Sequence, residues 1–117
     1  MIAWLEKAFG FAKRVAYEND TGGIMHAEMV LGAGIIMFGD ANPGEFGKHV
    51  STPRDLGGTT QAVYVAVPDA DAVFATAKAA GADIIMGLTD QPYGSRDFIC
   101  KDPEGHVWCF GTYAPVP

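Results

Sequence analysis

Two side chains suited to acid–base or metal chemistry, His26 and Glu28, stand two residues apart in an apolar segment. In an extended strand, residues two apart point to the same face, so these side chains would lie next to each other. Two ligands do not make a metal site, although His49 could swing in from a loop as a third. The alternative is a strand histidine that is hydrogen-bonded inside or near a pocket.

Two further pairs of reactive residues have simpler interpretations. Arg96 and Asp97 could present a paired charge, or form an exposed ion pair on a strand. Cys100 and Cys109 are the only cysteines and belong to no CxxC pair. A hairpin turn at 102–105 would place Cys109 opposite roughly Phe98, which predicts two free thiols rather than a disulfide.

Aromatic side chains point to ligand binding rather than to covalent catalysis. Tyr64, Phe98, Trp108 and Tyr113 all fall on predicted strands. They could form an ordinary core, or line a pocket that stacks on a planar or cationic ligand. The sequence contains no Gly-x-Ser-x-Gly, Walker or Gly-x-Gly-x-x-Gly motif, so serine hydrolase and nucleotide-binding chemistry are not indicated.

Length and charge restrict the class of protein that can carry these residues. The chain has 117 residues, 49% of them apolar, and a formal net charge of -6. It predicts one domain with its own core, and the acidic balance argues against nucleic acid as a partner. No uncharged run reaches the ~18 residues of a membrane span, and the N-terminus does not resemble a signal peptide. We therefore expect a cytoplasmic protein without a membrane partner.

Periodicity and glycines predict a helix at Ile2–Phe9 that ends at Gly10, and a second helix from Asp69 to about Ala80. Residues 39–60 carry little periodicity and predict a long loop, either functional or mobile. Strands are predicted at 11–18, 24–31, 35–38, 61–67, 84–88, 96–101 and 106–113. The strand at 61–67 is apolar and β-branched, which predicts that it is buried.

The two halves of the chain repeat each other. One constant shift in residue number carries Gly10 onto Gly81, Gly34 onto Gly105, and Met37 onto Trp108. Each half therefore reads as a helix followed by three strands. Only the second helix is preceded by a strand, at 61–67, so the first half lacks its leading strand.

The chain resembles the vicinal oxygen chelate superfamily, in the branch of glyoxalases and bleomycin resistance proteins. Two segments carry most of the resemblance, Gln91–Phe98 and Asp102–Tyr113, and three support it, Leu5–Phe11, Met25–Met29 and Val67–Ala72. The resemblance implies an α+β fold of paired βαβββ modules with curved mixed, mostly antiparallel sheets. Module one would span 1–41 and lack its leading strand, a linker loop would span 42–60, and module two would span 61–117.

The resemblance also implies where metal ligands would stand in the enzymes of the family. They come from the first and the last strand of each module, the latter commonly as a Glu four residues after the turn glycine. Those last-strand positions are Phe38 and Cys109 here. Near the start of the leading strand of module two, where a His or Glu is expected, the sequence has Thr60, Gln61 and Ala62. Because none of these is a usual ligand for a hard divalent ion, we predict no metal and no cofactor.

We predict a small-molecule-binding protein of the glyoxalase/bleomycin resistance type that sequesters an aromatic or cationic, antibiotic-like ligand without catalysis. The alternatives are a metal-dependent lyase, isomerase or dioxygenase, and a metal-free enzyme whose acid or base is Glu28, His26 or Asp97. The predicted ligand-binding residues are His26, Met37, Tyr64, Phe98 and Trp108. An uncovered strand edge in the first half predicts a homodimer, paired edge to edge or by module exchange, with residues 24–38 at the interface.

Overall fold

A computed structural model describes residues 1–41 and 44–117 of the chain. These residues form two units, 1–51 and 52–117, each with its own sheet. Asn42 and Pro43, which belong to the predicted linker, lie outside the described residues. Among the described residues, no helix is both long and apolar enough to cross a membrane.

The first unit consists of one helix and a three-stranded antiparallel sheet. Helix α1 spans Ile2–Phe9, and strands β1, β2 and β3 span Ala12–Glu18, Ile24–Leu31 and Gly34–Phe38. The sheet order is β1-β2-β3. The helix ends as predicted at Gly10, whose φ of 79° is open to glycine without strain and whose N–H donates to the Glu6 carbonyl at 3.1 Å.

The second unit has the same plan with one more strand. Its helices and strands are α2 at Pro53–Leu56, β4 at Ala62–Ala66, α3 at Ala70–Ala79, β5 at Asp83–Asp90, β6 at Arg96–Lys101 and β7 at Val107–Gly111. The sheet order is β4-β7-β6-β5, with β4 parallel to β7 and the other pairs antiparallel. The predicted α+β class is confirmed, with one antiparallel sheet and one mixed, mostly antiparallel sheet. Within residues 1–41 and 44–117 the first sheet has no leading strand, as predicted.

Helix α3 covers one face of the second sheet. The predicted cap is present, since the Asp69 carboxylate accepts the Ala72 N–H at 3.0 Å. Phe74 of the helix meets Phe98 of β6 edge to face, with ring centroids 5.2 Å apart, and Phe98 stacks on Phe110 of β7 at 5.5 Å. Strand β4, in contrast, is not buried as predicted, because it forms an edge of the sheet and its Tyr64 is 42% exposed.

The internal repeat is real, but its register changes in the last hairpin. Strand pairing places Met29 opposite Ile36 in the first sheet, and Cys100 opposite Trp108 in the second. The shift in residue number from β3 to β7 therefore exceeds the shift from β2 to β6 by one. The constant shift predicted from the sequence is wrong for the last strand, because the turns differ in length by one residue. Two residues lie between the paired Leu31 and Gly34, whereas three lie between Asp102 and His106, which are bonded across the turn at 3.0 Å.

The longer turn is held by one buried carboxylate. Asp102, 5% exposed, accepts hydrogen bonds from the N–H groups of Glu104 at 2.9 Å and His106 at 3.1 Å. Its second oxygen accepts the indole N–H of Trp108 at 3.0 Å. This carboxylate therefore fixes the turn length, and with it the face of the sheet on which each residue of β7 lies.

The predicted loop at 39–60 contains short helical turns and is attached to the second unit at its C-terminal end. Residues Phe46–Lys48 form a 3-10 turn. The Arg54 N–H at the start of α2 donates to the Glu104 carbonyl at 2.9 Å. A Cβ on Gly105 would stand 3.0 Å from the Arg54 nitrogen, so glycine is needed for this close approach.

Candidate functional site

Each sheet has one buried face and one face that carries exposed side chains, which we call its open face. In the first unit, Ala27 and Met29 of β2 are completely buried. Their neighbours along β2 point the opposite way, because successive strand residues alternate between the two faces. The open face of the first sheet comprises Val15, Tyr17, His26, Glu28, Val30, Ile35 and Met37.

His26 and Glu28 lie side by side on this open face, as predicted. Nε2 of His26 and Oε2 of Glu28 are 2.9 Å apart, and Arg14 donates to the other oxygen of Glu28 at 2.5 Å. The hydrogen bonds from His26 and Arg14 lower the pKa of the Glu28 carboxyl. The ring of Tyr17 stacks on the imidazole, with centroids 6.2 Å apart.

Arg14 reaches Glu28 because β1 is irregular at this point. The pairing of β1 with β2 shifts between Lys13 and Val15, which is the pattern of a β-bulge. Its counterpart in the second unit is the shift between Ile84 and Met86. Strict alternation in the sequence gives no sign of a bulge, so the partnership of Arg14 with Glu28 was not predicted.

The open face of the second sheet carries an aromatic ring held in a fixed position. Tyr64 of β4 donates its hydroxyl proton to the Tyr113 carbonyl at 2.7 Å, although 42% of the residue stays exposed. A Cβ on Gly111 would stand 2.6 Å from the Tyr64 hydroxyl oxygen and 3.1 Å from Cε2 of its ring. The ring therefore lies across the glycine, and burial raises the pKa of its phenol.

Asp97 is next to this ring on the same face. It is only 8% exposed, and the same hypothetical Cβ on Gly111 would stand 3.0 Å from its Cβ. The amide of Gln91 donates to its carboxylate at 3.0 Å. The predicted pairing with Arg96 is wrong, because neighbouring strand residues face opposite ways and Arg96 instead bonds Asp71 at 3.0 Å.

The five predicted ligand-binding residues fall into two groups. His26, Met37 and Tyr64 lie on open faces, and Met37 is 68% exposed. Phe98 and Trp108 lie on the buried face of the second sheet, at 0% and 5% exposure. Ligand contact by any of the five stays a prediction. Sequence reasoning omitted Tyr17, Gln91 and Gly111, although the alternation of buried Phe98 and Cys100 could have placed Asp97 on the open face.

The residues at the expected metal positions do not fit a metal centre. With the register corrected, Met37 and Cys109 are equivalent and both lie on open faces, while Phe38 pairs with buried Ala27. Burial raises the pKa of the Cys109 thiol, which disfavours the thiolate that a metal would need. Within residues 1–41 and 44–117, no three His, Cys, Asp or Glu side chains are grouped to hold a metal ion.

The cysteines are free, and the hairpin pairs Cys109 with Ile99 rather than with the predicted Phe98.

A cavity of about 430 Å³ lies at the other end of β6 from Asp97, between α2 and the β6–β7 turn. Arg54, Asp83 and Lys101 mix both signs of charge along its wall. Because none of the described residues that line this cavity is aromatic, the Tyr64 region is the better candidate for a planar ligand.

The chain is similar to proteins of one superfamily. Residues 1–110 match the family model described as Glyoxalase/Bleomycin resistance protein/Dioxygenase superfamily. The chain is 34% identical over 110 residues to the uncharacterized proteins Mb0911c of Mycobacterium bovis and Rv0887c of Mycobacterium tuberculosis. The match covers 94% of this chain, 72% of Mb0911c and 65% of Rv0887c.

Solved structures share the fold. TioX from Micromonospora sp. ML1 is 36% identical with a TM-score of 0.74, over 97% of this chain and 87% of that one. A superfamily member from Sphaerobacter thermophilus has a TM-score of 0.70 at 18% identity, over 94% of this chain and 83% of that chain, a likeness that concerns the fold alone.

Proposed function

Because the chain belongs to the Glyoxalase/Bleomycin resistance protein/Dioxygenase superfamily, we propose that it binds and sequesters a planar aromatic small molecule without transforming it. The observation that carries this proposal is the Tyr64 ring, which is exposed yet fixed in place. Its hydroxyl group bonds the Tyr113 carbonyl, and the ring packs closely over Gly111, which has no side chain to displace it. A ring that is already fixed loses little conformational entropy when a ligand stacks on it.

A thermal-shift screen with planar aromatic antibiotics and dyes tests the proposal. A ligand that binds only the native state raises the melting temperature, by an amount that corresponds to about 2.7 kcal/mol at 100 times its Kd. We expect Tyr64→Leu to abolish the rise and Tyr64→Phe, which keeps the ring but loses its tether, to reduce it.

Phe46→Leu is the matched control, since it removes an aromatic ring that is 75% exposed elsewhere in the chain. Its ligand-induced shift should equal that of the unmodified protein. The proposal fails if no compound raises the melting temperature, or if Tyr64→Leu and Phe46→Leu respond alike.

A second candidate function, metal-free acid–base catalysis, is favoured by the arrangement of His26 on the first open face. Glu28, held by Arg14, bonds Nε2 of His26 and leaves Nδ1 to accept a proton from a substrate. Exchange of deuterium into the carbon beside a carbonyl group, in a panel of aldehydes and ketones, tests this function. Exchange that is lost in His26→Gln supports catalysis, and no exchange with any substrate counts against it.

We also propose that the protein is a cytoplasmic homodimer, formed edge to edge or by module exchange, with residues 24–38 in or beside the interface. Met25, Ile35 and Met37 support the interface, since each is more than half exposed. The two free cysteines support a reducing compartment. Sedimentation at micromolar concentration should give a dimer that Ile35→Lys weakens, and a particle with the mass of a single chain would contradict it.

A further inference from the structure

The carboxylate of Asp97 is buried without a positively charged partner. The residue is 8% exposed, and its only hydrogen-bond donor among the described side chains is the neutral amide of Gln91, at 3.0 Å. No lysine, arginine or histidine of residues 1–41 and 44–117 forms an ion pair with it. A buried carboxylate that lacks a cation is costly, so a protein that keeps one commonly uses it.

The neighbouring cation cannot supply the missing charge. The side chain of Arg96 lies on the opposite side of β6 from Asp97, where it bonds Asp71 at 3.0 Å and Asp90 at 3.1 Å. Its guanidinium is therefore already neutralised by two carboxylates. Any cation that compensates Asp97 must approach the open face of the second sheet.

An aromatic face lies beside the carboxylate. Gly111 separates Asp97 from Tyr64, and a Cβ there would contact both, at 3.0 Å from Asp97 Cβ and 2.6 Å from the Tyr64 hydroxyl. A carboxylate next to an exposed aromatic ring suits an organic cation, because the ring attracts positive charge through its face while the carboxylate pairs with it. The net charge of -6 favours the approach of such a ligand.

We propose that Asp97 is the residue that selects the charge of the ligand, and that the ligand is an aromatic compound with a basic alkylamine group, whose protonated nitrogen bonds this carboxylate while its ring stacks near Tyr64. This inference rests on the proposed function of the same face. Gln91 donates to the carboxylate and fixes its orientation. Gly111 lets the Tyr64 ring and Asp97 lie close to each other, because a side chain there would collide with both.

The test compares two probes with the same ring and chain length and a charged or a neutral head group, 2-phenylethylammonium and 2-phenylethanol, in amide-resolved NMR titrations of the full chain. Molecules this small bind with a Kd on the order of millimolar, which NMR detects. We expect shifts at Tyr64, Asp97 and Gly111, and an ammonium affinity about tenfold higher than that of the alcohol, the effect of one charge-assisted hydrogen bond.

Asp97→Asn keeps an oxygen that can accept the Gln91 amide and removes only the charge. It should lower the ammonium affinity about tenfold and leave that of the alcohol unchanged. Asp90→Asn is the matched control, because it removes the same charge from a carboxylate that bonds Arg96 instead. The NMR spectrum of each variant reports directly whether it is folded.

The outcomes separate this inference from the function on which it rests. Equal affinity of the two probes for the unmodified protein overturns the role of Asp97 and leaves aromatic binding intact. Equal losses in Asp97→Asn and Asp90→Asn also overturn it, since they indicate a response to net charge. Absence of shifts on the open face with both probes overturns the proposed function as well.

Discussion

One position of the repeated fold carries different chemistry in the two units. His26 on β2 and Asp97 on β6 are equivalent in the repeat and occupy the same place on the open faces of their sheets. His26 lies beside a charged network, since Glu28 joins it to Arg14. Asp97 has only a neutral amide as its partner among the described side chains. At this position the first unit pairs its charged groups with one another, whereas the carboxylate of the second unit has no cationic partner among the described residues.

The comparison also separates what the fold imposes from what the side chains add. Sheet register determines that these positions face away from the core, whatever residue occupies them. Function then depends on whether neighbouring residues neutralise the group. A carboxylate without a cation costs stability, which is consistent with selection for binding rather than for folding.

The largest effect on stability is expected for Trp108, compared with the residue that the corrected register makes its equivalent in the first unit. Trp108 and Ile36 are equivalent, but Trp108 is 5% exposed and its indole N–H bonds Asp102, whereas Ile36 is only half-buried. Trp108→Ala should lower the free energy of unfolding by about 3–5 kcal/mol, and Ile36→Ala by clearly less. Urea denaturation checks both values, and a larger loss in Ile36→Ala would contradict the register.

The equivalent positions Met29 and Cys100 differ in that only the second can titrate. Burial raises the pKa of Cys100 to about 12, and the nearby Asp102 and Asp83 charges act in the same direction. The thiol of the unfolded chain loses its proton first, so the stabilising contribution is present below about pH 9 and is lost as the pH rises toward 12. Urea midpoints should fall over this range.

Cys100→Ala provides the control for this pH dependence. The variant is less stable at neutral pH because it leaves a cavity, but its stability should decline less steeply above pH 9. Parallel curves for the variant and the unmodified protein would show that another group titrates.

The glycines Gly39 and Gly111, equivalent once the register is corrected, both lack room for a methyl group, for different reasons. A Cβ on Gly111 would meet the Tyr64 side chain at 2.6 Å, whereas one on Gly39 would meet the Met25 carbonyl oxygen at 2.5 Å. Gly111→Ala should cost about 1–3 kcal/mol by displacing the Tyr64 ring. In a double-mutant cycle, Tyr64→Ala should relieve much of that cost, because it removes the contact.

No side-chain change can relieve Gly39→Ala, since its obstacle is backbone. Combining Gly39→Ala with Met25→Ala should therefore give additive losses in thermal denaturation. Additive losses for Gly111→Ala with Tyr64→Ala would mean that the ring does not lie across the glycine.

The smallest effect is expected at Glu28, whose partners are largely exposed. The hydrogen bonds from His26 and Arg14 lower its pKa below the ordinary value of 4.5. Its contribution to stability is present above that value and is lost as the pH falls through the lowered pKa. Glu28→Gln should flatten the decline of the melting temperature below pH 4.5, and an unchanged slope would show that the contacts are not maintained in solution.

The order and bounds of the elements were largely predictable from the sequence. The predicted bounds of α1, β2 and β6 coincide with Ile2–Phe9, Ile24–Leu31 and Arg96–Lys101. These elements combine a clear hydrophobic period with a glycine or turn at one end, and both signals are local. The superfamily and its fold class followed from the same segments.

The faces of the last strands were not predictable by the same means. The β6–β7 hairpin is shifted by one position from the register that a constant repeat predicts. Every side chain of β7 therefore lies on the face opposite to the predicted one. Met37 and Trp108 were predicted to be equivalent, but Met37 lies on the open face of the first sheet and Trp108 on the buried face of the second. The partner of Glu28 escaped prediction because a bulge is needed to bring Arg14 to it.

The three hydrogen bonds of Asp102 have a consequence for the order in which the second unit folds. They join residues no more than six positions apart, so the β6–β7 hairpin closes a short loop and forms at little entropic cost. Strand β4 pairs with β7 across a long stretch of chain, from Ala62 to Val107, and such pairings are slow. We expect the hairpin to nucleate folding and β4 to join last, so that β4, with its Tyr64 ring, is the first part of the second unit lost when the protein begins to unfold.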